Sequence, residues 1–250
     1  MFSELDNDTI AYVVKSNPEV ETIIQSIIDD NKRTTSMFVH ELRNPLSLLK
    51  STIQYIETKH PETREFKYWD QMQDLVHDLE HMMADASQLN TYNGLNKEES
   101  DFIALILGIS NSFMPQASQQ KIDFTLNIHP DCEALLSSYY CDIIKMKQAI
   151  SNLIKNAFEA VAPGNYINVE LAAVALEEQI PTKFYIKIKN NGAVIPEDKL
   201  ENIFTPFVTY KKGGTGVGLA IVKKIVNLHF GSIGVTSDEA ETCFTIILPL

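Results

Sequence analysis

A run of apolar residues at helical spacing limits this chain's fold more than any other feature. From about Ile23 to Glu57, the residues Ile24, Ile28, Phe38, Leu42, Leu46, Leu49, Ile53 and Ile56 recur mainly at steps of three and four, as one face of a long helix requires. Pro61 within TKHPETRE (58 to 65) breaks the pattern, because proline lacks the backbone donor a helix interior needs. The pattern resumes with Met72, Leu75, Leu79, Met82, Ala86 and Leu89. Two antiparallel helices follow, with an apolar seam that two helices alone cannot bury. Pairing with a second copy into a four-helix bundle buries it, so a homodimer is expected.

After YNGLNKEES (92 to 100) the texture changes to shorter mixed elements. The patterns predict a helix near 102 to 119, strands near 122 to 128 and 133 to 138, and a helix from about 142 to 161. Strands at 166 to 175 and 183 to 190, a glycine-rich loop, a helix ending near 229 and two closing strands complete the chain. The expected architecture is α+β, a helical hairpin followed by a separate α/β domain. A chain of 250 residues, 44% hydrophobic, can bury two such cores. The expected division is a helical N-terminal segment over 1 to 33, a dimerisation domain over 34 to 97, and the second domain over 98 to 250.

The net charge of −12, from 21 basic and 33 acidic residues without a Lys/Arg block, disfavours nucleic acid and anionic membrane partners. Cys132, Cys141 and Cys243 form no C-x-x-C pair, which fits a reduced, cytoplasmic compartment rather than a disulfide framework. The longest apolar run, FIALILGI (102 to 109), falls short of the roughly 20 residues of a spanning helix. No signal-peptide pattern opens the chain, and no direct membrane insertion is expected.

In FVHELRNPLSLLK (38 to 50), His40 and Glu41 stand side by side. His40 precedes Leu42 by two residues, a rotation of about 200° that turns it away from the apolar seam. A lone histidine on a polar helix face is ordinarily a solvated surface residue. Here Glu41 can accept from one ring nitrogen and leave the other as a nucleophile, and Asn44, one turn on, can orient a water. Pro45 adds a kink beside them, at a cost of about 3 kcal/mol in an ordinary helix.

Asn152 and Asn156 are four apart, hence on one helix face, where their oxygens can hold Mg²⁺ or simply form a surface polar pair. GGTGVGLAIV (213 to 222) sets small residues before a helix, where free N–H groups can receive phosphate, with Lys211 and Lys212 just upstream. HDLEH (77 to 81) matches a zinc-peptidase pattern, but its histidines sit opposite Leu75, Leu79 and Met82, and so short a pattern recurs by chance.

HELRNPL (40 to 46) resembles the phosphoacceptor box of two-component sensor histidine kinases. NLIKNAFEA (152 to 160) is similar to that family's asparagine box, NNGAVIP (190 to 196) to its first glycine box, IFTPF (203 to 207) to its phenylalanine box, and GGTGVGLAIVKKI (213 to 225) to its second glycine box. The resemblance covers about 34 to 250, and the FTPF and NAxEA spellings are those of sporulation and nitrogen-regulation kinases. It implies a two-layer α/β sandwich of the GHKL type that binds Mg·ATP, with Mg²⁺ on Asn152 and Asn156. Asn190, Gly192, Lys212, Gly214, Thr215, Gly216, Gly218 and Leu219 would line the nucleotide site, under a lid between Pro196 and Gly218 anchored by Phe204 and Phe207.

The resemblance further implies that His40 takes the γ-phosphoryl group with Glu41 as orienting base. The group would then pass to an aspartate of a response-regulator receiver domain, and Asn44 would serve the reverse dephosphorylation. The roughly 33 residues before the box are few for a sensor domain, so input is expected through that segment, an upstream sensor protein or a missing portion. One box departs from the family pattern Asp-x-Gly-x-Gly: Asn190 replaces the Asp, and Val194 the second Gly. Asn190 keeps an amide oxygen for the adenine amino group but loses charge assistance of about 1 kcal/mol, so weaker ATP binding is expected. Glu159 stands where many relatives carry a basic phosphate contact. The alternative is a phosphotransfer or scaffold protein that no longer uses ATP.

Overall fold

The structure is a computed structural model and describes residues 18–91, 95–174, 182–211 and 214–250. The chain forms two compact units divided at residue 91. In the first, helix α1 (Pro18–Lys59) and helix α2 (Trp69–Thr91) are joined by a 3-10 turn over Pro61–Glu65. Helix α1 starts ahead of the expected Ile23 and continues through Pro45. Thr63, buried at the turn, donates its hydroxyl to the His60 carbonyl at 2.7 Å and so closes the corner.

Leu46 and Ile53 of α1 meet Trp69 and Val76 of α2, with Ile56, Met72 and Met83 against them. The Lys50 ammonium spans both carboxylate oxygens of Glu80 at 3.0 and 2.8 Å and holds the two helices in register. The sequence pattern centres the apolar face of α2 on Leu75 and Leu79, whereas the hairpin buries Trp69 and Val76. A pair of helices has one contact stripe, so the remaining apolar positions face outward. Leu42 is 56% exposed, Leu49 45%, Leu75 56% and Leu79 47%. Among the described residues no helix is long and apolar enough to cross a membrane.

The second unit is an α+β sandwich. Strand β1 (Glu98–Ser100) precedes helix α3 (Phe102–Gln120), strand β2 (Asp123–Ile128), helix α4 (Asp131–Leu136) and strand β3 (Tyr139–Cys141). Helix α5 (Ile143–Ala160), strands β4 (Tyr166–Val174) and β5 (Lys183–Asn190), the short helix α6 (Glu197–Leu200) and helix α7 (Gly218–Leu228) follow. Strands β6 (Ser232–Ser237) and β7 (Thr242–Pro249) close the chain. The main sheet runs β2-β4-β5-β7-β6, with only β2 and β4 parallel. β1 and β3 form a separate antiparallel pair.

Along β5, Phe184, Ile186, Ile188 and Asn190 are buried while the intervening residues are half-buried. The period of two covers one sheet face with α3, α5 and α7. Phe102, Tyr139 and Phe184 meet edge-on, with centroids 5.1 to 5.5 Å apart. One expectation fails here: 133 to 138 is not a strand. Pro130, with Asp131 and Glu133 in the first turn, starts helix α4, and Cys132 and Leu136, four apart, are its buried residues.

Asp142 caps α5, its carboxylate accepting from the Lys145 N–H at 3.1 Å and from the Asn96 N–H at 2.9 Å. Burial opposes its ionisation, yet these bonds and the Lys145 ammonium hold the carboxyl below its ordinary range. The Asp142 N–H in turn donates to Nε2 of buried His229 at 3.0 Å, while His229 Nδ1 donates to the Ile225 carbonyl at 2.8 Å. The imidazole is therefore neutral, and burial, with Lys97 and Lys145 nearby, pushes its pKa below the usual histidine value. The unfolded chain binds the proton more readily, so this group's contribution is present above the ordinary histidine pKa of about 6.5 and is lost as pH falls below it. Chemical denaturation at pH 7.5 and 5.5 is expected to show a steeper acid loss for the parent than for His229→Gln.

Candidate functional site

On α1 the side chains of His40, Glu41 and Asn44 are exposed, whereas neighbouring Val39 is buried against the hairpin. The helix therefore turns His40 and Asn44, one turn apart, to the outer face of the unit. The side chains of His40 and Glu41 are hydrogen-bonded to no described residue, so the expected bond from the imidazole to the Glu41 carboxylate is not formed in this structure. Of the HDLEH histidines, His77 is exposed and the side chain of His81 lies outside the described residues.

In the second unit, Asn152 and Asn156 are half-buried on one face of α5. The Ala160 carbonyl at the end of that helix accepts from the Ala193 N–H at 3.0 Å. This contact brings the turn after β5 against α5, and a Cβ on Gly192 would lie 2.2 Å from the Ala160 oxygen. Only glycine permits that approach. Asn190, 1% exposed, accepts from the Gly192 N–H through Oδ1 at 3.1 Å. The amide oxygen expected to receive an adenine amino group is thus already bonded within the turn. Asn191 faces the other way, accepting from the Tyr166 N–H at 2.7 Å. Val194 is 46% exposed and so is no part of the core.

The glycine loop is shaped by its own chain. Gly216 has φ +69, and a Cβ there would lie 2.7 Å from the backbone of Phe207 and Val208. Its carbonyl accepts from the Phe207 N–H at 3.0 Å. Helix α7 starts at Gly218 with no side-chain cap, so its first N–H groups point outward at its positive end. Thr215 and Leu219 flank that end, and Gly214 donates to the Lys211 carbonyl at 3.2 Å. Lys212 and Gly213 lie outside the described residues. Lys211 reaches α5, with Nζ 2.6 Å from a Glu159 oxygen and 3.4 Å from Asn156 Oδ1. Phe204 packs edge-on against Phe244, whereas Phe207 stands 58% exposed and anchors no core.

Sequence reasoning missed two residues here. Thr242 is the cross-strand neighbour of Asn190, is buried, and lies 2.6 Å from the Ser237 hydroxyl. Ser237 also accepts from the Ile195 N–H at 2.9 Å. Both come from the closing hairpin, and no local motif marks them. The Asn152 and Asn156 oxygens suit a hard cation that keeps waters, and the uncapped α7 terminus suits an anion, so the donor set fits Mg²⁺ with a phosphorylated ligand.

Residues 141–250 match the family described as histidine kinase-, DNA gyrase B- and HSP90-like ATPases, which defines the second unit as an ATP-binding domain of the GHKL class. Sporulation kinase E of Bacillus subtilis (strain 168) is 29% identical over 212 residues, covering 84% of this chain and 27% of the relative. Sensor histidine kinase ZraS of Salmonella typhimurium is 33% identical over 221 residues, covering 84% of this chain and 44% of the relative. The solved catalytic domain of histidine kinase ThkA is 30% identical, with a TM-score of 0.53, covering 62% of this chain and 95% of that one. ThkA in complex with the response regulator TrrA superposes with a TM-score of 0.63 at 25% identity, covering 95% of this chain and 66% of that one. The chain belongs to the histidine kinase family. It spans less than half the length of the two curated relatives named here.

Proposed function

We propose that this chain is the working core of an ATP-dependent protein histidine kinase, in which His40 receives the γ-phosphoryl group of ATP and passes it to an aspartate of a response-regulator receiver domain. The observation that carries the reading is the exposed His40, with Asn44 on the same face, in a chain that also holds a GHKL-type ATP-binding domain. In this reading the hairpin is the dimerisation and phosphotransfer domain, and its exposed Leu42, Leu49, Leu75 and Leu79 are covered by a second copy. A four-helix bundle of two copies would leave His40 on its outer surface.

The imidazole nitrogen attacks the γ-phosphorus in line with the departing bridge oxygen, and Glu41, which does not bond the ring in this structure, would turn onto it to act as the orienting base. The glycine loop and the N-terminus of α7 hold the phosphates through backbone N–H groups, and Asn190, Gly192 and Leu219 bound the rest of the ligand. Asn152 and Asn156 would hold Mg²⁺, which neutralises phosphate charge when bound. Asn44 would position water for dephosphorylation of the regulator, the phosphatase half of the proposal. Three unpaired buried cysteines suit a reducing, cytoplasmic setting, and an upstream sensor protein would supply the input.

Calorimetric titration of Mg·ATP into the full chain tests the nucleotide half. Binding is expected, and Asn156→Ala should weaken it about tenfold or more, the size of one lost contact to a charged group. Absence of binding by the parent would overturn the kinase reading and favour His40 as a relay for phosphate made elsewhere.

A further inference from the structure

We propose that Lys211 and Glu159 form an autoinhibitory latch, in which the Lys211 ammonium holds the Asn156 oxygen and a metal ion enters only by displacing it; the inference rests on the assignment of Asn156 to Mg²⁺ proposed above. Lys211 Nζ lies 2.6 Å from a Glu159 oxygen and 3.4 Å from Asn156 Oδ1. Glu159 and Asn156 are three residues apart on α5, hence neighbours on its surface. One positive charge is thus shared between a carboxylate and an amide oxygen suited to a hard cation. Two cations on the same oxygen would repel at close range, so ammonium and metal compete for it.

The fold aims this lysine at α5. Its N–H donates to Thr209 Oγ1 at 3.2 Å, and its carbonyl accepts from the Gly214 N–H at 3.2 Å. These bonds pin the backbone on both sides of Cα and leave the side chain to span to the helix. Gly214 permits the tight turn, since a Cβ there would stand 2.7 Å from Thr209 Oγ1. The preceding residue is held separately, with Lys199 of α6 4.6 Å from the centre of the Tyr210 ring.

Glu159 is what keeps the ammonium there. A basic residue at 159 would repel Lys211, whereas the carboxylate draws it, and the loop that carries it, onto the asparagine face of α5. The pair is exposed, at 47% for the Lys211 side chain and 57% for Glu159, so it is weak and screened by salt. Weakness suits a contact that bound metal must reverse: it biases the empty site by a few-fold and does not seal it. When a metal ion takes Asn156, Lys211 is released and the loop is freed from α5.

Two readouts on the full chain test this, with Lys211→Met, Glu159→Gln and the double variant; both side chains are exposed, so all three should fold. Without ligand, amide hydrogen exchange at Lys211 and Gly214 should quicken about two- to fivefold in either single variant and no further in the double. Calorimetric ATP titrations at a series of free Mg²⁺ concentrations give the metal level at which affinity is half its maximum. That level should fall by about the same factor in both single variants. Opposite shifts in the two would mean that each charge acts on the nucleotide separately, and would overturn the latch. An unchanged metal level, or additive exchange in the double variant, overturns it as well and leaves the nucleotide reading standing. If the parent binds no nucleotide, both fall.

Discussion

Gly192→Ala should destabilise the second unit by about 3 kcal/mol, combining forced overpacking with a weakened backbone hydrogen bond. The added methyl would stand 2.2 Å from the Ala160 oxygen and 2.6 Å from its carbon, both backbone atoms at the end of α5. No rotamer change relieves that contact, so β5 and α5 must separate and the Ala193 to Ala160 bond stretches. Asn190 loses the N–H that orients it. Gly108→Ala is the matched control: a Cβ there meets nothing within 4 Å, and the position is inside α3. Alanine should stabilise that helix by roughly 0.5 to 1 kcal/mol. Denaturant unfolding of the full chain, followed through the transition of the second unit, checks both signs. A neutral Gly192→Ala would mean that the turn does not press on α5.

His40→Gln should reduce phosphoryl incorporation to background while leaving fold and nucleotide affinity unchanged. The side chain is exposed on α1 and bonded to no described residue, so stability should move by no more than about 0.5 kcal/mol. Glutamine keeps length and polarity, but its amide nitrogen has no basic lone pair for attack at phosphorus. Unchanged Mg·ATP binding in the same variant separates loss of the acceptor from loss of the donor site. Persistent labelling of His40→Gln would place the acceptor elsewhere.

The hairpin was legible because Leu46, Ile53 and their neighbours repeat at helical steps over many turns, where periodicity is strongest. Which stripe of α2 is buried was not legible, since Val76 and Leu79 both fit a helical face and the partner helix chooses between them. Residues 133 to 138 misled for a related reason: in a short apolar segment, Cys132 and Leu136 satisfy a helix as well as nearby alternation suggests a strand. At the candidate site, Asn152 and Asn156 share one helix face and the glycines precede a helix, so their local placement could be read from contiguous stretches of sequence. Thr242 beside Asn190, and Lys211 against Glu159, are joined across 52 residues of chain in each case by tertiary packing, which no local spacing encodes.

Transfer of label from γ-labelled Mg·ATP to the full chain, followed through acid and alkali, tests the central claim most directly. A phosphorus–nitrogen bond to imidazole is cleaved by acid and survives alkali, whereas a serine or threonine ester behaves in the opposite way. The account predicts label on the chain that acid removes and alkali spares, and none when the label is at the α-phosphate. Nucleotide bound without any transferred label, or label stable to acid, would contradict it.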